Sequence, residues 1–342
     1  MKDWKEEYES LARFVAENPG IVLTPAEISI PQDLREEFYL RFDNIRAALV
    51  DMQYSALPVD IDSLCSRYME IEKEVIGILG IEKITMPVDL FSFLHTPKAG
   101  LARILYNGLF DLAQGKTTPD AFESQSVADL CASASELFRL GYEWWAALTL
   151  IKCLDPDQSF RVDLDSDYKP VLAELKEISF GRQAHHPTMR IPEFVLHSQK
   201  LGRYVAVKMA IAREVETYYV QYTPPVRPKK RTGDTSSALD SRVMLLSFMP
   251  SPEQIPVIAD IYDRTLNSPD WIVEFITESE FLDPDAREQV SVHLNALKPT
   301  RGIYLVLMDH ESGEVPQAAD NIHPVPVGFD EIKIQSVVEA LG

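Results

Sequence analysis

Four groups of side chains in this chain could do chemistry by their type and spacing. Asp163, Asp165 and Asp167 stand at alternate positions, with Glu174 in the twelfth place counted from Asp163. Oxygen donors in that pattern, closed by a carboxylate that can bind through both oxygens, suit a hard cation such as calcium. Glu193, which follows Pro192, and Lys208 on the next β-rich run form the second group. The third is His185 and His186, with Glu193 and His197 nearby. Imidazoles and a carboxylate can ligate zinc, yet adjacent histidines on an extended segment point to opposite sides, and a surface loop joining the two domains explains them more simply. The fourth is the dense basic cluster Arg227-Pro228-Lys229-Lys230-Arg231, which could meet phosphates or an acidic partner. Four charges alone give weak, salt-sensitive binding to nucleic acid.

The first group resembles an EF-hand loop, which implies a calcium site at Asp163, Asp165, Asp167 and Glu174. Tyr168 stands where that loop uses glycine for its sharp turn, and Pro170 where it makes a short β-bridge. The alternative is an acidic loop whose aspartates cap a helix beginning near Lys169-Pro170. The second group, within Arg190 to Val195 and Gly202 to Lys208, resembles the core hairpin of PD-(D/E)xK nucleases. That resemblance implies a metal-binding carboxylate at Glu193 and the family lysine at Lys208. Ala206 occupies the second acidic position. A divalent ion held by one carboxylate instead of two would be poorly bound, so the resemblance implies a degenerate, inactive relative. The plain alternative is a two-stranded hairpin that packs Phe194, Val205 and Val207 inward.

Other chemistries lack their parts. None of the 14 glycines falls in G-x-G-x-x-G or G-x-x-x-x-G-K, the patterns that let backbone amides approach a nucleotide's phosphates. The sequence contains no G-x-S-x-G, no H-E-x-x-H and no kinase set. The formal charge of −20 disfavours a general nucleic-acid or anionic-membrane binder, apart from the basic stretch Arg227–Arg231. Cys65, Cys131 and Cys153 form no C-x-x-C motif and lie in apolar helical contexts, where a free thiol behaves as a small hydrophobe. A reducing cytoplasm suits them. The charged start and the absence of a long apolar run point to neither export nor membrane insertion.

The elements that must position these groups divide the chain. At 342 residues, two domains are expected: a helical one over 1–180 and an α/β one over 181–342, with an irregular loop at about 223–241. Apolar residues from Ile61 to Leu79 and from Ala99 to Gln114 recur at helical spacing. Thr24-Pro25, Thr96-Pro97 and Thr118-Pro119 read as helix starts. Leu140 to Pro156 resembles the second helix of a tetratricopeptide repeat, with Gly141 at a turn; the alternative is an αα-hairpin in a bundle. Of Trp144 and Trp145, about 100° apart on a helix, one should face the core and the other its edge.

Beyond about Phe180, Arg190–His197 and Arg203–Ala212 read as a β-hairpin around Ser198–Gly202, and Tyr218–Tyr222 as an aromatic strand. Val243–Phe248, Trp271–Ile276 and Ile303–Met308 read as buried strands. They alternate with helices opened by Ser251-Pro252 and running to about Leu266, by Asp283-Pro284, and by Phe329. That order predicts a mixed α+β and α/β chain with a partly parallel sheet. The expected function is a non-catalytic protein-interaction or regulatory module of the cytoplasm, with a protein partner and no cofactor. The alternative is an enzyme of unknown type, a degenerate PD-(D/E)xK relative or another metal-dependent hydrolase among its forms.

Overall fold

The chain is described here by a computed structural model. It covers residues 3–180, 189–211, 242–260, 265–284, 288, 290, 297–308 and 321–342. His185, His186, the Tyr218–Tyr222 run, the 223–241 loop and the Arg227–Arg231 cluster lie outside the described residues. The chain has a helical N-terminal region and a C-terminal mixed sheet, and it divides into two compact units. One is 1–69 with 87–141; the other is 70–86 with 142–342.

The first unit is built from α1 (Trp4–Glu17), α2 (Arg35–Gln53), the start of α3 (Ile61–Leu79), α4 (Val88–His95), α5 (Pro97–Ile104), α6 (Tyr106–Ala113) and much of α7 (Pro119–Cys153). Asp3 caps α1 by accepting from Lys5 N, and Thr118 Oγ1 accepts from Ala121 N at the start of α7. Phe38, Phe42 and Phe110 meet in its core, with the Phe42 and Phe110 centroids 4.5 Å apart.

The second unit holds an eight-stranded sheet. Its strands are β4 (Pro156–Leu164), β5 (Pro170–Glu174), β8 (Phe194–Ser198), β9 (Arg203–Ile211), β10 (Arg242–Met249), β13 (Trp271–Ile276), β14 (Gly302–Leu307) and β15 (Ile322–Pro326). The spatial order is β15-β14-β13-β10-β9-β8-β4-β5. Pairing is parallel between β13, β14 and β15 and antiparallel elsewhere. All six residues of β14 are buried, as a continuous apolar run in a covered strand requires. One face carries Val243, Leu245, Ile272, Ile303 and Leu305, packed with Phe281, Val290 and Leu297. The short strands β3 (Lys83–Thr85) and β6 (Glu177–Ser179) pair in parallel, while β7 (Met189–Arg190), β11 (Ala259–Asp260) and β12 (Thr265–Leu266) form a sheet in the order β12-β11-β7, and Ala259 joins the apolar cluster. Helix α8 (Glu278–Leu282) opens with a capping box made by Thr277 and Glu280, and α9 (Glu331–Leu341) closes the chain.

Several sequence expectations are corrected. Thr24-Pro25 opens no helix: β1 (Val22–Thr24) and β2 (Glu27–Ser29) form a hairpin, with Thr24 Oγ1 accepting from Glu27 N at 3.0 Å. A hydroxyl that takes the amide three residues on serves a turn as well as a cap. The stretch Ala99–Gln114 is two helices that meet at Leu105. No helix is formed by the described residues between Ser251 and Leu266: Pro256 removes an amide, and Ile258 N donates to Arg190 O at 2.8 Å, a strand-type bond. Gly141 is no turn. It lies inside α7, where a Cβ would come within 2.9 Å of both Leu64 Cδ2 and Leu94 Cδ2, so the missing side chain lets neighbouring helices approach. Trp144 and Trp145 are both fully buried, because Phe180 takes up the first ring and Phe329 the second.

Candidate functional site

Strands β8 and β9 form the hairpin expected from the sequence, with Val195 opposite Ala206 and Phe194 opposite Val207. Just before β8, Glu193 N donates to Val207 O at 2.9 Å while its carbonyl accepts from Val162 N at 3.1 Å. Side chains alternate along a strand, so Val195 and His197 share one face with Ala206 and Lys208. On that face Glu193 Oε1 lies 3.7 Å from Lys208 Nζ, and Glu193 Oε2 accepts from Met209 N at 3.0 Å. The lysine side chain is 2% exposed and the glutamate 4%. An ammonium group at that depth requires a countercharge and hydrogen bonds, and Glu193 supplies the charge. Phe194, Val205 and Val207 are also buried on the opposite face.

The third position of the hairpin explains itself. Ala206 sits in an aliphatic cluster with Val162, Ile191, Val195 and Met249. A carboxylate there would lose water without gaining a polar partner from that cluster, which is a severe desolvation penalty. Glu274, which sequence reasoning did not single out, is buried on β13. Registers Ala210–Val243 and Val243–Glu274 put it on the same face as Lys208, one same-face rung further along. Its strand position within the run Trp-Ile-Val-Glu-Phe-Ile was the available signal. Among the described residues, no three His, Cys, Asp or Glu side chains are grouped so that they could hold a metal ion.

The aspartate-rich segment is a β-hairpin, neither helix–loop–helix nor the start of a helix at Lys169-Pro170. Asp163 lies on β4 and pairs with Arg161. Asp165 builds the turn: its Oδ1 accepts from Asp167 N at 2.8 Å and from Lys169 N at 2.9 Å. Tyr168 takes a φ of 60° there, the conformation for which glycine is usually chosen. Glu174 ends β5, paired with Lys176 at 3.5 Å. Four strand steps from Pro170 to Glu174 span about 13 Å, so Glu174 does not return to the turn.

His197 is four residues along β8 from Glu193, again about 13 Å, and does not converge with it. Its Nδ1 is 2.6 Å from Asp157 Oδ1, and its ring lies 4.8 Å from that of Tyr204, whose hydroxyl donates to Gln158 Oε1. Asp157, another residue that sequence reasoning missed, comes from β4 and could be found only once strand pairing was known.

One surface stands out in the first unit. Helix α4 buries Leu90, Phe93 and Leu94 on one side. On the other, Val88 is 64% exposed and Phe91 47% exposed, with the Phe91 ring stacked on His95 at 4.1 Å. Positions 88, 91 and 95 follow one helical ridge. No helix among the described residues is long and apolar enough to cross a membrane. No family model, curated protein or solved structure matches this chain.

Proposed function

We propose that the chain works by binding another protein, as a non-catalytic interaction or regulatory module of the cytoplasm. The observation that carries this reading is α4, which buries Leu90, Phe93 and Leu94 on one side and leaves Val88 and Phe91 exposed on the other. Adjoining exposed apolar side chains such as Val88 and Phe91 suit a partner surface. The three free thiols, Cys65, Cys131 and Cys153, accord with a reducing compartment. The test is a photoreactive phenylalanine analogue at position 91, irradiated in the cells that make the protein. Position 332, an exposed isoleucine on α9, serves as the control. The expected result is a discrete covalent adduct from position 91 and none from 332. No adduct, or the same adducts from both positions, would overturn the reading.

A second reading, a metal-dependent hydrolase related to the PD-(D/E)xK nucleases, is favoured by one observation: Glu193 and Lys208 do come together, 3.7 Å apart. Calorimetric titration with manganese or magnesium separates the two. Saturable heat that Glu193→Gln abolishes would support the hydrolase reading.

A further inference from the structure

The two edges of the eight-stranded sheet are unlike. On β4, Val162 N donates to Glu193 O, so its even-numbered residues bond towards β8 and its odd-numbered ones towards β5. Asp165 N donates to Lys169 O across the turn, in the same phase. Within the register Asp163–Val171 and Arg161–Ala173, residues Val171 and Ala173 therefore close the ladder to β4. The backbone groups of Pro170, Leu172 and Glu174 point outward. Two amides and three carbonyls line that edge, and no strand among the described residues pairs with it.

The opposite edge is closed by its own sequence. Ile303 N donates to Asn321 O and Val327 N to Leu307 O, so His323 and Val325 face β14 while Ile322, Pro324 and Pro326 face outward. Proline has no amide to offer, and at these positions its absence costs the sheet nothing. Two of the three outward amides of β15 are thus missing. On β5 only Pro170, at the strand's first residue, plays that part. An edge that no strand among the described residues pairs with, beside one that is blocked, suits strand addition by a partner.

Charge selects the partner. Between residues 163 and 177 stand five acidic residues, Asp163, Asp165, Asp167, Glu174 and Glu177, against Lys169 and Lys176. Arg161 matches Asp163, Lys176 matches Glu174 and Lys83 matches Glu177, which leaves Asp165 and Asp167 against Lys169 beside the turn, a local surplus of one negative charge on a chain of formal charge −20. A second copy of the chain is disfavoured, because it would bring two bodies of formal charge −20 edge to edge. We propose that the outer edge of β5 takes an extended, lysine- or arginine-bearing segment of a partner protein as a ninth strand of the sheet. This rests on the interaction reading and names a docking place for it.

The experiment uses the full chain and a labelled nine-residue peptide alternating lysine and valine, read by fluorescence anisotropy. Two control peptides replace lysine by glutamate or carry N-methyl groups on every second residue. The lysine peptide is expected to bind, and each control to bind at least roughly tenfold more weakly. Hydrogen exchange at residues 170–174 is expected to slow when the lysine peptide is added. Leu172→Pro, which removes an outward amide and leaves the Val171 and Ala173 bonds to β4, is expected to weaken binding by a similar factor. Glu174→Lys, at an exposed side chain, should weaken it without touching the ladder. No binding at about 1 mM peptide, or binding that N-methylation leaves unchanged, would overturn the proposal. So would a sedimenting dimer that Leu172→Pro dissociates, since the occupant would then be a second copy. Adducts from position 91 with a silent β5 edge would sink the edge alone and leave the interaction reading standing.

Discussion

Burying a single ionisable group in a fold moves its proton chemistry, and the cysteines carry this most plainly. Burial, with Asp62 adding to it, pushes the Cys65 thiol up to about 12, and burial likewise raises Cys153. A thiol held in its neutral form is a poor nucleophile. Cys65 in the native chain should resist iodoacetamide at pH 8 and react once the chain is unfolded, which peptide mapping by mass spectrometry checks. The linkage follows in sign. Above the ordinary thiol value the unfolded chain loses the Cys65 proton and the folded chain keeps it, so stability falls from about pH 9 towards pH 12. Cys65→Ala should flatten that decline in urea denaturation measured across the same range. A buried thiol in helix α3 was legible from the apolar helical spacing around it. The Asp157–His197 pair was not, because forty residues separate the two side chains and only the β4–β8 register joins them.

Among the elements, α7 and the β4–β5 hairpin show where linear reading stopped. Gly141 looks like a turn in sequence, since glycine breaks helices in isolation. Within α7 the close approach of Leu64 and Leu94 fixes the residue instead, and no local pattern encodes a neighbour brought from elsewhere. Gly141→Ala should therefore destabilise: the propensity gain of about 1 kcal/mol is outweighed by overpacking of about 1–3 kcal/mol. Gly77 on α3 has nothing within 4 Å of its missing Cβ, and Gly77→Ala should stabilise by about 1 kcal/mol. Urea midpoints of the two variants should move in opposite directions. The hairpin at 165–168 was misread because aspartates that cap a helix also close a β-turn. By contrast, β10, β13 and β14 were legible from their apolar runs, and the β8–β9 hairpin from its alternation and its Gly202 turn. The antiparallel pairing of β10 with β13 was not, because strand order and direction are decided by contacts far apart in the chain.

For the molecule as a whole, we place its work at the surface and give its best-formed polar constellation, Glu193 with Lys208, a structural part. Lys208 and Glu193 hold a charge pair inside the sheet, and Met209 N depends on the same carboxylate. Removing one member of a buried charge pair costs about 3–5 kcal/mol, whereas replacing both can be close to neutral. Lys208→Met is thus expected to be strongly destabilised, and Glu193→Gln/Lys208→Met to recover most of the loss, because glutamine still accepts from Met209 N. The most direct measurement is to place the photoreactive residue at position 91 in that double variant, once its urea midpoint is back near that of the parent chain. The account predicts the same covalent adduct, in the same yield, as from the parent. A folded double variant that has lost the adduct, or a saturable manganese heat in the parent that the double variant lacks, would contradict it.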